Sequence, residues 1–130
     1  METEELRFEV NGHLIAAKAW GDRSEPVLIA LHGWLDNAAT FNRLAPLLSG
    51  RRVIALDLMG HGYSDHRPAS MPYYIWDNVL DVLGVVDQLG LERFELLGHS
   101  MGASIAMLIA GAFPERVRQL VLIEGIAPLV

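Results

Sequence analysis

Short apolar runs punctuate this chain at regular intervals. Val27-Leu28-Ile29-Ala30-Leu31 follows Pro26 without a polar break, as a strand buried on both faces does. Val53-Ile54-Ala55-Leu56, Phe94 to Leu97 and Leu120-Val121-Leu122-Ile123 are three further candidate strands. Ahead of them, Leu6 to Val10 and His13 to Ala19 read as two strands joined by Asn11-Gly12, the strongest two-residue hairpin signal. Between the runs the period lengthens to that of a helix. Asp36 to Leu48 sets Phe41, Leu44, Leu47 and Leu48 on one face, with Asp36 or Asn37 as its cap. Pro72 to Leu89 carries Ile75, Trp76, Val79, Val82, Leu83, Val86 and Leu89 at helical spacing. Its polar face holds Asp77, Asp81 and Asp87, and Gly90 ends it. Ser100 to Phe113 is apolar nearly all round, which predicts a central buried helix that Pro114 stops.

A leading hairpin followed by strand–helix alternation predicts an α/β fold. Its sheet is mostly parallel, opens with an antiparallel hairpin and is covered on both faces. Residues 1–130 read as one domain, with no repeat and no linker. Ligands in such folds bind at the carboxyl ends of the strands, which is where the chemically suggestive loops of this chain fall.

Composition narrows the function classes. Apolar residues make up 52% of the chain, enough to bury a core, and the formal net charge is −6. That charge disfavours nucleic-acid binding, and no basic run argues otherwise. There is no cysteine, so disulfides, thiolate zinc sites and a cysteine nucleophile are excluded. No metal or cofactor is expected. Met1 to Glu5 is acidic where a secretion signal is basic and then apolar. The longest near-apolar run, Ala103 to Phe113, is far short of the roughly 20 residues that span a bilayer. No membrane association and a cytoplasmic location are therefore expected.

One motif carries chemistry. The strand Phe94-Glu95-Leu96-Leu97 runs into Gly98-His99-Ser100-Met101-Gly102 and then into the apolar helix. This is G-x-S-x-G between a strand and a helix. A sharp turn brings the two backbones so close that a Cβ two residues before or after the serine would clash, so both sites take glycine. The turn lifts the Ser100 hydroxyl clear of the sheet, beside the free N–H groups of a helix N-terminus. Leu31-His32-Gly33-Trp34 ends the Val27 strand, where an oxyanion-hole loop belongs. An acyl-transfer site needs two N–H donors; the expected ones are the backbone amides of Met101 and Trp34.

The hairpin, the His32-Gly33-Trp34 loop, Asp57-Leu58-Met59-Gly60-His61-Gly62-Tyr63-Ser64, Gly98 to Gly102 and Phe113-Pro114-Glu115 occur in an order that resembles the α/β-hydrolase superfamily. The stretch from Leu31 to Phe41, with Pro72-Tyr73-Tyr74 further on, is most similar to the branch called serine hydrolase-like proteins. The resemblance covers about the first half of a family member. It implies an α/β-hydrolase fold truncated after about the sixth strand, with the later strands, lid and catalytic histidine absent. It implies Ser100 as nucleophile and a small ester or related acyl compound as substrate. Epoxide hydrolases and haloalkane dehalogenases of similar fold use an aspartate where this chain has Ser100.

The family's triad runs serine, acid, histidine along the chain, and no histidine follows Ser100. His13, His32, His61, His66 and His99 all read as structural, with His32 and His99 bracing the two site loops. Asp57 ends its own strand and reads as a partner for loop N–H groups. Glu124 follows the Leu120 strand; in some related dehalogenases the acid stands there, so Glu124 is a candidate acid. Two other readings compete with an enzyme. One is a truncated or split fragment that acts by binding a partner or ligand. Its open edge at Leu120 to Ile123 predicts self-association or pairing with a complementing fragment. The other is nucleotide binding, which the sequence disfavours: Gly60-His61-Gly62 is not completed by glycine at Asp65.

Overall fold

The computed structural model describes residues 3–34, 36–66 and 75–123. Strands β1 (Thr3–Val10) and β2 (His13–Trp20) form the hairpin, in register from Thr3–Trp20 to Val10–His13. Asn11 and Gly12 at its tip have φ of 50° and 83°, the left-handed pair that a tight two-residue turn requires. Strands β3 (Val27–Leu31), β4 (Arg52–Leu56), β5 (Phe94–His99) and β6 (Val117–Ile123) follow. The six-stranded sheet has the order β1-β2-β4-β3-β5-β6, antiparallel at β1–β2 and β2–β4 and parallel across the rest.

The apolar runs of β3, β4 and β5 are buried on both faces, as their lack of alternation predicts. Ile29, Leu31, Ile54, Leu56 and Leu96 pack with helices α1 (Ile75–Gln88) and α2 (Met101–Ala112), through Val79, Val82, Val86, Ile105 and Ile109. Leu28, Ala30, Val53, Ala55 and Leu97 point to the other face, where Trp20, Ala38, Phe41 and Ala45 cover them. The helix α2 is buried over its first half and exposed at Gly111 and Ala112. β6 lies at the sheet edge, and its Leu120, Val121, Leu122 and Ile123 are 36–42% exposed.

Two helical expectations need correction. Asp36 to Leu48 is not one helix. It forms two short 3-10 turns, Ala38–Phe41 and Ala45–Leu47. Pro46 lacks an N–H and its ring clashes with the carbonyl four residues back, so a continuous helix cannot pass it. Asn37 is the cap, its side-chain oxygen accepting from the Ala39 N–H at 2.9 Å. Phe41 is buried, but Leu47, read as its neighbour on one face, is 76% exposed. In the second helix, residues 72–74 lie outside the described residues. From Ile75 onward the apolar stripe is as expected, except that Trp76 is exposed and Asp81 is buried. Asp81, read on the polar face, turns inward and meets His13 Nε2 at 3.0 Å. A carboxylate is tolerated there because it has a hydrogen-bonding partner.

At the opposite end of the sheet from the site loops, Arg52 and Arg23 converge on Glu4, at 2.9 and 2.6 Å. Hydrogen bonds from Arg23 and Arg52 hold the Glu4 carboxyl down to about 2. The folded-state value lies below the unfolded one, so this cluster stabilises the fold above about pH 4.5 and loses that contribution as pH falls toward 2. Glu4→Gln should therefore flatten the pH dependence of the unfolding midpoint between about pH 5 and about pH 2. The stability lost at pH 7 should match the part of the pH dependence that disappears, and it should be modest because the Arg23–Glu4 pair is exposed. Urea titrations at a series of pH values would check this; a slope unchanged by the substitution would refute it.

Candidate active site

Ser100 occupies the junction between β5 and α2. Its φ of 56° and ψ of −115° lie outside the regions that a side-chain-bearing residue adopts without strain. Three hydrogen bonds hold it there. The Ser100 N–H donates to Ile123 O at 3.2 Å, and its carbonyl accepts from Ala103 and Ser104 N–H at 2.9 and 3.3 Å. The glycines two residues away on each side close the turn. A Cβ on Gly98 would lie 2.3 Å from Gly102 O, and one on Gly102 would lie 2.1 Å from Leu31 O. The side of α2 is thus pressed against the end of β3, and Ser100 is left exposed to solvent at the top of the turn.

The loop after β3 meets this turn from the other side. Gly33 is buried, and a Cβ on it would stand 3.2 Å from Ser100 Cβ and 3.5 Å from His99 Nδ1. Trp34 follows, 63% exposed. The structure therefore brings Ser100, Gly33, Gly98, His99 and Gly102 to one place, with Met101 and Trp34 next in chain to Ser100 and Gly33. Glu124 lies outside the described residues.

His32 is fully buried and spans two loops. Its Nδ1 bonds to Gly33 O at 2.7 Å, and its Nε2 accepts from the Leu58 N–H at 3.0 Å. That pair of bonds defines a neutral ring with the hydrogen on Nδ1, and burial pushes its pKa below the ordinary histidine value. Asp57 plays the matching role in the neighbouring loop. Its Oδ1 accepts from Ala38 N–H at 2.7 Å and its Oδ2 from Tyr63 N–H at 3.0 Å. Ser64 Oγ donates to Asp57 O and accepts from the Ala16 N–H. These bonds tie the Asp57-to-Ser64 loop to the hairpin and to the segment that follows Trp34.

His61 lies in a Gly-His-Gly turn, as expected, and its ring does more than hold that turn. It lies edge-on to Trp34, with centroids 5.5 Å apart, and 5.0 Å from the His32 ring. No periodic signal in the sequence marks this contact. Among the described residues no group of three or more His, Asp or Glu is arranged to hold a metal ion. No helix among them is long and apolar enough to cross a membrane.

Residues 26–129 match the model of the alpha/beta hydrolase fold family. A serine hydrolase-like protein of Dictyostelium discoideum is 45% identical over 97% of this chain and 36% of its own length. A serine hydrolase-like protein of Homo sapiens is 43% identical over 92% of this chain and 60% of its own length. Among solved structures, a hypothetical protein of Pseudomonas aeruginosa superimposes with a TM-score of 0.93 at 53% identity, over 97% of this chain and 45% of that one. The thioesterase domain of the curacin biosynthetic pathway superimposes with a TM-score of 0.91 at 33% identity, over 100% of this chain and 49% of that one. The chain thus spans roughly one third to three fifths of the relatives it matches, and by its matched residues and its sheet order it belongs to the alpha/beta hydrolase fold family.

Proposed function

We propose that this chain carries the nucleophile and the oxyanion donors of a serine hydrolase acting on a small ester or related acyl substrate. The observation that supports this best is the strained, solvent-exposed Ser100, held at φ 56° by backbone closed on both flanks. Strain of this kind costs about 1–3 kcal/mol and persists where the surroundings over-determine it, as at reactive sites. The names of the serine hydrolase-like relatives agree with this reading.

On this reading Ser100 Oγ attacks the carbonyl carbon, and the carbonyl π electrons move onto oxygen. The backbone N–H groups of Met101 and Trp34 receive that oxyanion. Each such donor is worth roughly a hundred- to a thousandfold in rate. A base takes the hydroxyl proton and returns it to the departing alkoxide, and water then cleaves the acyl-enzyme. His13 bonds to Asp81, His32 to Gly33 and Leu58, and His61 to Met59, and on this reading none of the three is assigned as the base. The family acid is assigned to none of the described carboxylates, and Asp57 is committed to loop amides.

The test is covalent. The purified chain is exposed to a fluorophosphonate and the adduct is located by mass spectrometry, beside Ser100→Ala. Labelling confined to the unsubstituted chain supports an activated Ser100. A folded sample that takes no label sinks the enzyme reading for this chain. It then favours a binding role, for which the exposed apolar residues of β6 are the candidate surface.

A further inference from the structure

As an oxyanion donor Trp34 acts only through its backbone, and almost any residue would supply that N–H. The indole is a separate observation. With 63% of its surface exposed, it keeps a large apolar side chain in water, which core packing does not explain. Nor is it loose. The His61 ring meets it at 77° with centroids 5.5 Å apart, a favourable edge-to-face geometry. His61 is itself held, by Nδ1 on Met59 O at 3.1 Å and by the His32 ring. His32 is locked by its two hydrogen bonds. A column of rings thus leads from the buried His32 to the open face of Trp34, one residue from Gly33, where an added Cβ would stand 3.2 Å from Ser100 Cβ.

We propose that the Trp34 indole, positioned by His61, is the wall that selects substrates for the Ser100 site, favouring flat apolar acyl or alkoxy groups such as aryl and benzyl over short alkyl ones. This rests on the Ser100 reading. The physical basis is preorganisation: a ring already held in place gives up little further freedom when a flat group stacks on it. Only the indole takes part in this selection. His61 acts through it and is a positioning residue.

The experiment compares the rates at which two fluorophosphonates label Ser100, one carrying a benzyl group and one a methyl group at the same position. The unsubstituted chain should favour the benzyl reagent roughly three- to tenfold. Trp34→Ala, which keeps the backbone donor, should bring that ratio close to one. His61→Ala should lower it part of the way, and His61→Phe, which restores a ring at the same edge, should recover it. A merely structural role for His61 would slow both reagents alike and leave the ratio alone. A ratio unchanged in Trp34→Ala overturns the proposal. If neither reagent labels, the Ser100 reading falls, and a second readout judges the wall by itself. The Trp34 indole N–H resonance, assigned with Trp34→Phe, should shift on titration with N-benzylacetamide and not with N-methylacetamide. Equal response to both, or none, overturns the wall as well.

Discussion

Gly102→Val should leave little folded protein, with a loss of about 3 kcal/mol or more. A Cβ at this position would lie 2.1 Å from Leu31 O, 2.6 Å from Leu31 C and 2.7 Å from His32 O. All three atoms are backbone, so no side chain can swing aside to make room. Relief requires α2 to move away from β3, which opens the core that Leu31, Ile105 and Ile109 share. A loss of this size is a large part of the 5–15 kcal/mol that typically separates folded from unfolded chains. Gly111→Ala is the contrast within the same helix. Its Cβ would meet nothing within 4 Å, and alanine is the better helix former, so this change should stabilise by about 0.5–1 kcal/mol. Urea unfolding followed by circular dichroism reads both. Two substitutions with the same sign would show that the close approach of α2 to β3 is not what demands glycine.

Asp57→Ala should cost about 3 kcal/mol. The carboxylate is buried, 5% exposed, and accepts from two backbone donors, Ala38 and Tyr63. Bonds to a charged acceptor contribute roughly 1.5–3 kcal/mol each, and removing the acceptor leaves the buried Ala38 N–H without a partner. Asp57→Asn should cost less, since its carbonyl can serve one donor while its amide group opposes the other. Amide hydrogen exchange separates this local effect from general loosening. The Ala38 and Tyr63 amides should exchange faster in Asp57→Ala than the rest of the chain does. Protection lost evenly across all amides would mean that the carboxylate does not hold these two loops.

How much of this could be read in the sequence varies by element. The strands were legible because their signals are local: a continuous apolar run bounded by turn residues, or two runs across Asn11-Gly12. The site turn was legible for the same reason. Glycine at positions 98 and 102 around Ser100 reports a close backbone approach: a Cβ added at either site would stand only 2.1–2.3 Å from a backbone oxygen. The segment from Asp36 to Leu48 has helical spacing but forms two short 3-10 turns. Pro46 outweighs the helical spacing of Phe41, Leu44 and Leu48. Helical period alone places Asp81 beside other aspartates on a polar face, yet it is buried. Only the position of the hairpin supplies His13 as a partner.

By itself the sequence determined the α/β class, the six strands and the turn that carries Ser100, since each depends on residues within a few positions of one another. Sheet order was decided by the tertiary structure: β4 lies between β2 and β3, which no run or turn announces. The same holds for the pairings that shape the site, His32 with Leu58, Asp57 with Ala38, and His61 with Trp34. These join residues from separate loops, and their partners are chosen by where the sheet delivers the strand ends. Hydrogen-bond satisfaction and ring packing between distant segments leave no period in the chain, so they become visible only once the strands are in place.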